Sequence, residues 1–399
     1  MLKISLYFFL CLLYNDYKYI MGAKGLEHYL DNSATTAVSR AAADKAYQIM
    51  TDIYGNPSSL HLKGLQAERE LIAARKAVAS KLGASPDEIF FTSGGTEANN
   101  TALFGAAYAG ARVRKKLIIS AVEHSSVTEA AKQLESEGFN VVFVAPRNGM
   151  IRPEDVISQV DSNTSLVSVM RVNNETGAIM PVDEIFSAVK EINPQTLCHT
   201  DAVQAFGKLE IKAKRLNADL ISVSGHKVHA PKGVGALYIK KGVRLVPRQY
   251  GGEQEKRFRG GTEALPAIAA FGTACGEFDI ARNFELVTEL NRYAKEQLLG
   301  IEGVTLNSPD DALPYVLNFS AGRVRSETML HFLEERDVFV SSGSACAKGK
   351  PSHVLSAMGL SREQADSALR VSFSKHNTKA DIDALCSGIK TGLSVLAHR

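Results

Sequence analysis

The sequence predicts an α/β protein with a mostly parallel sheet, followed by a smaller α+β unit at its C-terminal end. Three observations predict it. From Leu30 on, short apolar runs alternate with helical patterns. Most of those runs end in a polar or glycine-containing turn. The alternation then stops after Arg259-Gly260-Gly261-Thr262. Strands alternating with helices argue for a parallel sheet, and ligands of such sheets sit at the carboxyl ends of the strands.

In order along the chain, residues 41–50 and 64–82 carry helical periodicity. Residues 88–92 (EIFFT) form a short apolar run that ends at Ser93-Gly94-Gly95, and a helix is expected over 96–108. Further strand-like runs lie at 116–120, 141–145, 165–171, 197–200 and 220–223. The helical stretch 263–299 breaks the rhythm, and strands near 316–319, 338–340 and 369–373 complete the mixed C-terminal part. The expected division is an N-terminal segment at 22–38 packing with the small domain, a large domain at 39–280 and a small domain at 281–399.

Composition bounds the function. The chain has 399 residues, 45% hydrophobic and 22% charged, which suits two or three globular domains. A formal net charge of +3 gives no reason to expect a nucleic-acid partner. Five cysteines, an odd and sparse set, imply no disulfide framework and point to a reducing, cytoplasmic compartment. Residues 6–13 (LYFFLCLL) are too few to span a bilayer, which takes about 20 apolar residues. Tyr14, Asn15, Asp16 and Tyr17 follow in place of the small residues of a signal-peptide cleavage site. Residues 1–21 therefore read as a leader outside the fold, with translation starting at Met21; a short membrane-associating tail is the other reading.

The turns after the apolar runs hold SGGTE, EHSS, NNETG, DAVQ and SGHK. One such turn would mean little, but five in series look like one composite site. Ser93-Gly94-Gly95-Thr96-Glu97, between strand and helix, suits an anion, because a helix N-terminus offers free N–H groups and glycine lets a phosphate approach. Alone it reads first as an ordinary capped turn. Lys227, in the turn Ser224-Gly225-His226-Lys227, can form a Schiff base with an aldehyde cofactor. Asp201 can face the ring nitrogen of pyridoxal phosphate, Gln204 its phenolic oxygen, and His124 can stack on the ring. Taken singly, Asp201 is also a helix N-cap and Lys227 a surface lysine; together and in this order the functional reading prevails. Cys346 lies in a small, polar stretch with Lys348 and Lys350 nearby, which favour the thiolate. Cys198, Cys275 and Cys386 read as small core residues. Arg370 can bind a carboxylate in a fork, or be a surface arginine.

These residues resemble the pyridoxal-phosphate-dependent cysteine desulfurases of the NifS/IscS type, within the class V aminotransferases. The resemblance runs from about Tyr29 to the C-terminus. It rests on YLDNSATT, GNPSSLH, FTSGGTEANN, EHSSV, VNNETGAI, HTDAVQAFGK, SVSGHKVHAPKGVGALY, RGGTE, SSGSAC and RVSFSKHNT, in that order. It implies a fold-type I homodimer with a seven-stranded sheet in the large domain. It further implies a cofactor-binding set of Gly95, Thr96, His124, Asn174, Asp201, Gln204, Ser224, Gly225, His226 and Lys227, with Thr262 reaching the phosphate from the other subunit. Asn174 and Arg370 would bind the substrate carboxylate. Lys227, His124 and Cys346 would be catalytic. Cys346 would take sulfur from L-cysteine as a persulfide, leave alanine, and pass the sulfur to an acceptor protein. No resident metal is implied; the one metal role is Cys346 as a transient iron–sulfur ligand. The five residues between Cys346 and Ser352 are fewer than scaffold-serving members often have. The acceptor therefore stays open between an iron–sulfur scaffold, a tRNA thiolation enzyme and a thiamine-pathway protein. Another class V enzyme, such as an aminotransferase or selenocysteine lyase, is the alternative activity, and a binding protein without turnover the alternative class.

Overall fold

The computed structural model describes residues 27–342 and 352–396. The 1–21 leader and Cys346 lie outside the described residues. Strand β1 is His28–Tyr29. Seven strands then form the main sheet: β2 (Ile89–Thr92), β3 (Lys116–Ser120), β4 (Asn140–Val144), β5 (Thr164–Ser168), β6 (Leu197–Asp201), β7 (Leu220–Ser224) and β8 (Gly235–Ile239). Their order across the sheet is β2-β8-β7-β6-β5-β3-β4. Strands β4, β3, β5, β6 and β7 pair in parallel, whereas β8 runs antiparallel to both its neighbours, β2 and β7.

The strands are apolar on both sides because helices cover both faces, as parallel sheets require. Alternate residues serve different layers, following the two-residue period of a strand. Leu117, Ile119, Leu166, Leu220 and Leu237 pack with Leu103, Phe104 and Ala131 on one face. Ile118, Val167, Ile221 and Ala236 join Leu71, Val78 and Phe271 on the other. The helix Leu62–Leu82 stops at Gly83, whose φ of 60° is the left-handed conformation that glycine adopts without cost.

Strand β8 was not among the expected runs. The stretch GALYI follows β7 directly after the lysine turn and runs antiparallel to it, outside the rhythm of strands alternating with helices. The single helical stretch expected at 263–299 is two helices, Leu265–Gly276 and Ile280–Leu299, the second capped by the Asp279 side chain. Before them, Glu255, Lys256 and Arg257 hold φ of 45°, 58° and 64° in succession, a left-handed turn without glycine. Glu255 anchors it: its buried carboxylate takes a two-pronged bond from Arg75 (2.8 and 2.6 Å) and the Phe91 N–H (3.0 Å).

Beyond residue 300, β9 (Val304–Leu306), β10 (Val316–Ala321), β12 (Ser341–Ser342) and β13 (Ala368–Ser372) make an antiparallel sheet ordered β12-β13-β10-β9. Strand β11 (Val338–Phe339) pairs in parallel with β1. The chain after β1 continues along this part: Asn32 Nδ2 donates to the Ser372 carbonyl at 2.9 Å and the Ser33 N–H to Ser372 Oγ at 2.8 Å. Among the described residues no helix is long and apolar enough to cross a membrane.

Candidate active site

Strands β2, β3, β5, β6 and β7 all point the same way, so the turns after them gather at one edge of the sheet. At β2 the chain turns through Gly94 (φ 153°) into the helix Gly95–Gly110, whose N-terminus has no side-chain cap. A Cβ on Gly95 would stand 2.8 Å from Val203 Cγ2, so glycine lets this helix end approach the turn after β6 closely. Ser224 Oγ is buried beside it without a hydrogen-bond partner among the described residues. Open N–H groups, a helix dipole and a waiting hydroxyl could hold a phosphate. Glu97 is turned away from that role. It takes the Ser93 N–H (2.8 Å) and Arg259 (2.9 Å), and these outweigh its burial to hold the carboxyl below its ordinary range. Thr96 is exposed at the helix start. Gly225 keeps room for the core rather than for a ligand: a Cβ there would stand 2.9 Å from Val234 Cγ1. Thr262 is exposed, and no hydrogen bond joins it to these groups among the described residues.

Lys227 follows β7 and hangs on the N-terminal segment, donating from Nζ to the carbonyls of Ser33 and Ala34 (2.7 Å to the latter). Gln204 uses the same anchor, Nε2 to the Ser33 carbonyl at 3.0 Å, while its Oε1 accepts from Lys208 Nζ at 3.2 Å. Burial, with the charges of Lys227 and Arg370, pushes Lys208 down to about 7. His226 is pushed down to about 4 by burial and by Lys227 and Lys232, so it is neutral at pH 7. Its Nδ1 lies 3.3 Å from Thr35 Oγ1.

Asp201 ends β6, 5% exposed, and accepts from Asn99 Nδ2 (2.7 Å) and the Val203 N–H (2.9 Å). His124 caps the helix Ser125–Ser136 and reaches Ser126 Oγ at 2.8 Å. Beside it Glu123 is fully buried. One oxygen accepts from Ser120 Oγ and the Met170 N–H; the other has no partner among the described residues. Burial, with the nearby Asp201 charge, raises Glu123 to about 8, so it is a neutral acid at pH 7.

Arg370, in β13 of the other sheet, does return to this edge. It donates to the Asn174 carbonyl (2.9 Å) and to Asp31 Oδ1 (2.8 Å), and its buried Nε has no partner among the described residues. Glu175, next to Asn174, is raised to about 7 by burial against the opposing pull of Ser352 and Arg370. Cys198 and Cys275 are buried free thiols and Cys386 is half-buried. Burial raises all three, Cys386 to about 11, which suits packing rather than nucleophilic chemistry.

Sequence reasoning did not single out Asp31, Ser33, Asn99, Glu123, Ser126 or Lys208. All six lie inside the motif segments, but their partners are up to 339 residues away, as for Asp31 and Arg370.

Residues 28–385 match the family described as Aminotransferase class-V. This chain belongs to the class-V aminotransferase family. Among class-V relatives, it is 39% identical to the cysteine desulfurase IscS of Methanosarcina thermophila, over 89% of each chain. It is 42% identical to a NifS/IcsS protein homolog of Lactobacillus delbrueckii subsp. bulgaricus, over 89% of this chain and 94% of that one. Of solved structures, a NifS-like protein superposes with a TM-score of 0.89 at 35% identity, covering 93% of this chain and all of that one. SspA in complex with cysteine gives 0.79 at 35% identity, over 88% and 99%. The mostly parallel seven-stranded sheet is the fold-type I architecture expected from the motifs.

Proposed function

We propose that this chain is a cysteine desulfurase. It takes sulfur from L-cysteine, releases L-alanine and carries the sulfur as a persulfide on Cys346 to an acceptor protein. The observation that carries the reading is that residues 31–34 hold both halves of an amino-acid site. Ser33 and Ala34 bind the Lys227 amine, and Asp31 binds the Arg370 guanidinium. An amine that can join an aldehyde cofactor and a fork that can take a carboxylate are thereby fixed to one short segment.

The residues present fit pyridoxal phosphate. Ser224 Oγ, Gly95 and the uncapped helix start suit its phosphate, Lys227 its aldehyde, Asp201 its ring nitrogen and Gln204 its phenolic oxygen. When bound, this cofactor supplies an electron sink that lets bonds break along the amino acid. The chain's own residues do the rest. Asp201 is held in a buried place by two N–H donors, where it can face the ring nitrogen. Arg370 takes the substrate carboxylate with Nε, steadied by Asn174 and Asp31. Lys227 Nζ can carry a proton to or from the substrate. The Cys346 thiolate attacks the substrate sulfur: an S–S bond forms, the C–S bond breaks, and its electron pair stays with carbon, which takes a proton to become the methyl group of alanine.

On the same reading the protein is a cytoplasmic homodimer in which Thr262 serves the partner's site, and the chain divides at about residue 280. The acceptor is an iron–sulfur scaffold, a tRNA thiolation enzyme or a thiamine-pathway protein. The test is turnover of L-cysteine by the purified protein. Wild type should be yellow, yield equal alanine and sulfide with a thiol, and gain about 32 Da at Cys346 that thiols remove. Lys227→Ala should lose cofactor and turnover. Cys346→Ser should keep the cofactor and make almost no alanine. Normal turnover in either variant would overturn the assignment.

A further inference from the structure

We propose that Asn99 and Ser126 are positioning residues of this site. They hold the His124 ring in its Nε2–H form and tie it to Asp201 through hydrogen bonds that fan out from the Asn99 amide, one to the carboxylate and one through Ser126 to the ring. The inference rests on the desulfurase reading only for the roles of Asp201 and His124.

The chain of donors can be followed atom by atom. Asn99, 1% exposed on the helix Gly95–Gly110, spends both hydrogens of Nδ2, one on Asp201 Oδ2 at 2.7 Å and one on Ser126 Oγ at 2.9 Å. The Asp201 carboxylate decides which way the amide faces, because an amide oxygen there would set two acceptors against each other. Asn99 Oδ1 is left buried without a partner among the described residues, a cost the fold accepts for the donor's sake. Ser126 Oγ therefore accepts from Asn99 and has one hydrogen to give. His124 Nδ1 lies 2.8 Å away. The same Nδ1 receives the Ser126 backbone N–H at 3.2 Å, a group that can only donate. Nδ1 is thus an acceptor, and the neutral ring carries its proton on Nε2.

The consequence is chemical. With Nδ1 committed to Ser126, the ring meets its surroundings through Nε2–H and works there as a donor rather than as a base. The Asp201 charge, three hydrogen bonds away, orients that donor by orienting Asn99.

The test uses the full chain labelled with 15N-histidine, purified with its cofactor, and read by multiple-bond 1H–15N correlation. Loss of a signal set in His124→Ala assigns the ring. Wild type should show the Nε2–H pattern alone at neutral pH. Ser126→Ala, which leaves only the longer backbone donor, and Asn99→Ala should each lower the share of the Nε2–H form, with the backbone N–H holding what remains of it. Both should lower kcat for L-cysteine at least about tenfold while KM moves less than about twofold. Ser126→Thr, which keeps the hydroxyl, should restore pattern and kcat. A wild-type ring protonated on Nδ1, or Ser126→Ala with wild-type pattern and kcat, overturns the proposal. Should Asn99→Ala fail to fold, the Ser126 pair decides alone. The correlation pattern needs no turnover, so a protein with the Nε2–H ring but no alanine production would refute the desulfurase reading and leave this one standing.

Discussion

Replacing Glu123 with Gln should change how stability depends on pH while barely changing the structure. The neutral acid in the folded chain has one oxygen accepting two hydrogen bonds and a second oxygen with no partner among the described residues. Gln copies that shape without a proton to lose. In the folded chain the group titrates at about 8, against an ordinary 4.5. Below 4.5 both folded and unfolded chains hold the proton, and its contribution is complete. Between 4.5 and about 8 the unfolded chain has released it and the folded chain has not, so stability falls as pH rises. At about 1.4 kcal/mol per pH unit, the full loss is roughly 5 kcal/mol, a large share of a typical folding free energy. Urea denaturation of both proteins at pH 5 and pH 8.5 measures it. The advantage of Glu123→Gln over wild type should be small at pH 5 and grow by about 3–5 kcal/mol at pH 8.5. An advantage that stays constant within about 0.5 kcal/mol would refute a buried neutral acid at this position.

Lys208→Met should show the opposite trend. The folded lysine titrates at about 7 against an ordinary 10.5, so wild-type stability rises with pH over that window and the variant's lead should shrink there, again read by urea denaturation. Arg257→Gly should raise stability by about 1 kcal/mol, since it relieves a left-handed residue at φ 64° and gives up only an exposed ion pair with Glu253; a lower denaturation midpoint would contradict this. Arg370→Lys replaces a fork by a point charge and loses Nε, so KM for L-cysteine should rise about tenfold or more, with cofactor absorbance unchanged; an unchanged KM would remove Arg370 from the carboxylate site.

Most strands of the large sheet were readable from their apolar runs. The runs expected at 116–120, 197–200 and 220–223 correspond to β3, β6 and β7 within a residue. Strand β8 was not read although GALYI is as buried as β5 and β7, because it follows β7 directly after the lysine turn and antiparallel to it, outside the rhythm of strands alternating with helices. The site shows the same division. Lys227, Asp201, Gln204 and His124 stood out because each ends a run with a chemically active turn. Their supports did not, because an Asn in a helix or a Ser one turn on looks like any polar residue until tertiary contacts bring Asn99 to both Asp201 and Ser126. Lys208 reads as a surface lysine after a glycine, and only the packing around Tyr315 and Gln204 buries it.

The pairing of β1 with β11 sets an order of events during synthesis. Asn32 finds the Ser372 carbonyl 340 residues downstream, and Tyr29 lies beside Phe339. A ribosome adding about 5–20 residues per second reaches the last of those partners only 340 residues later. Until then the segment that will hold Lys227 and Arg370 has no sheet to join, although the strands of the large sheet can already assemble. The amino-acid site is therefore finished only after the large sheet's strands have emerged, and a nascent chain halted before β13 would have its lysine but not its arginine.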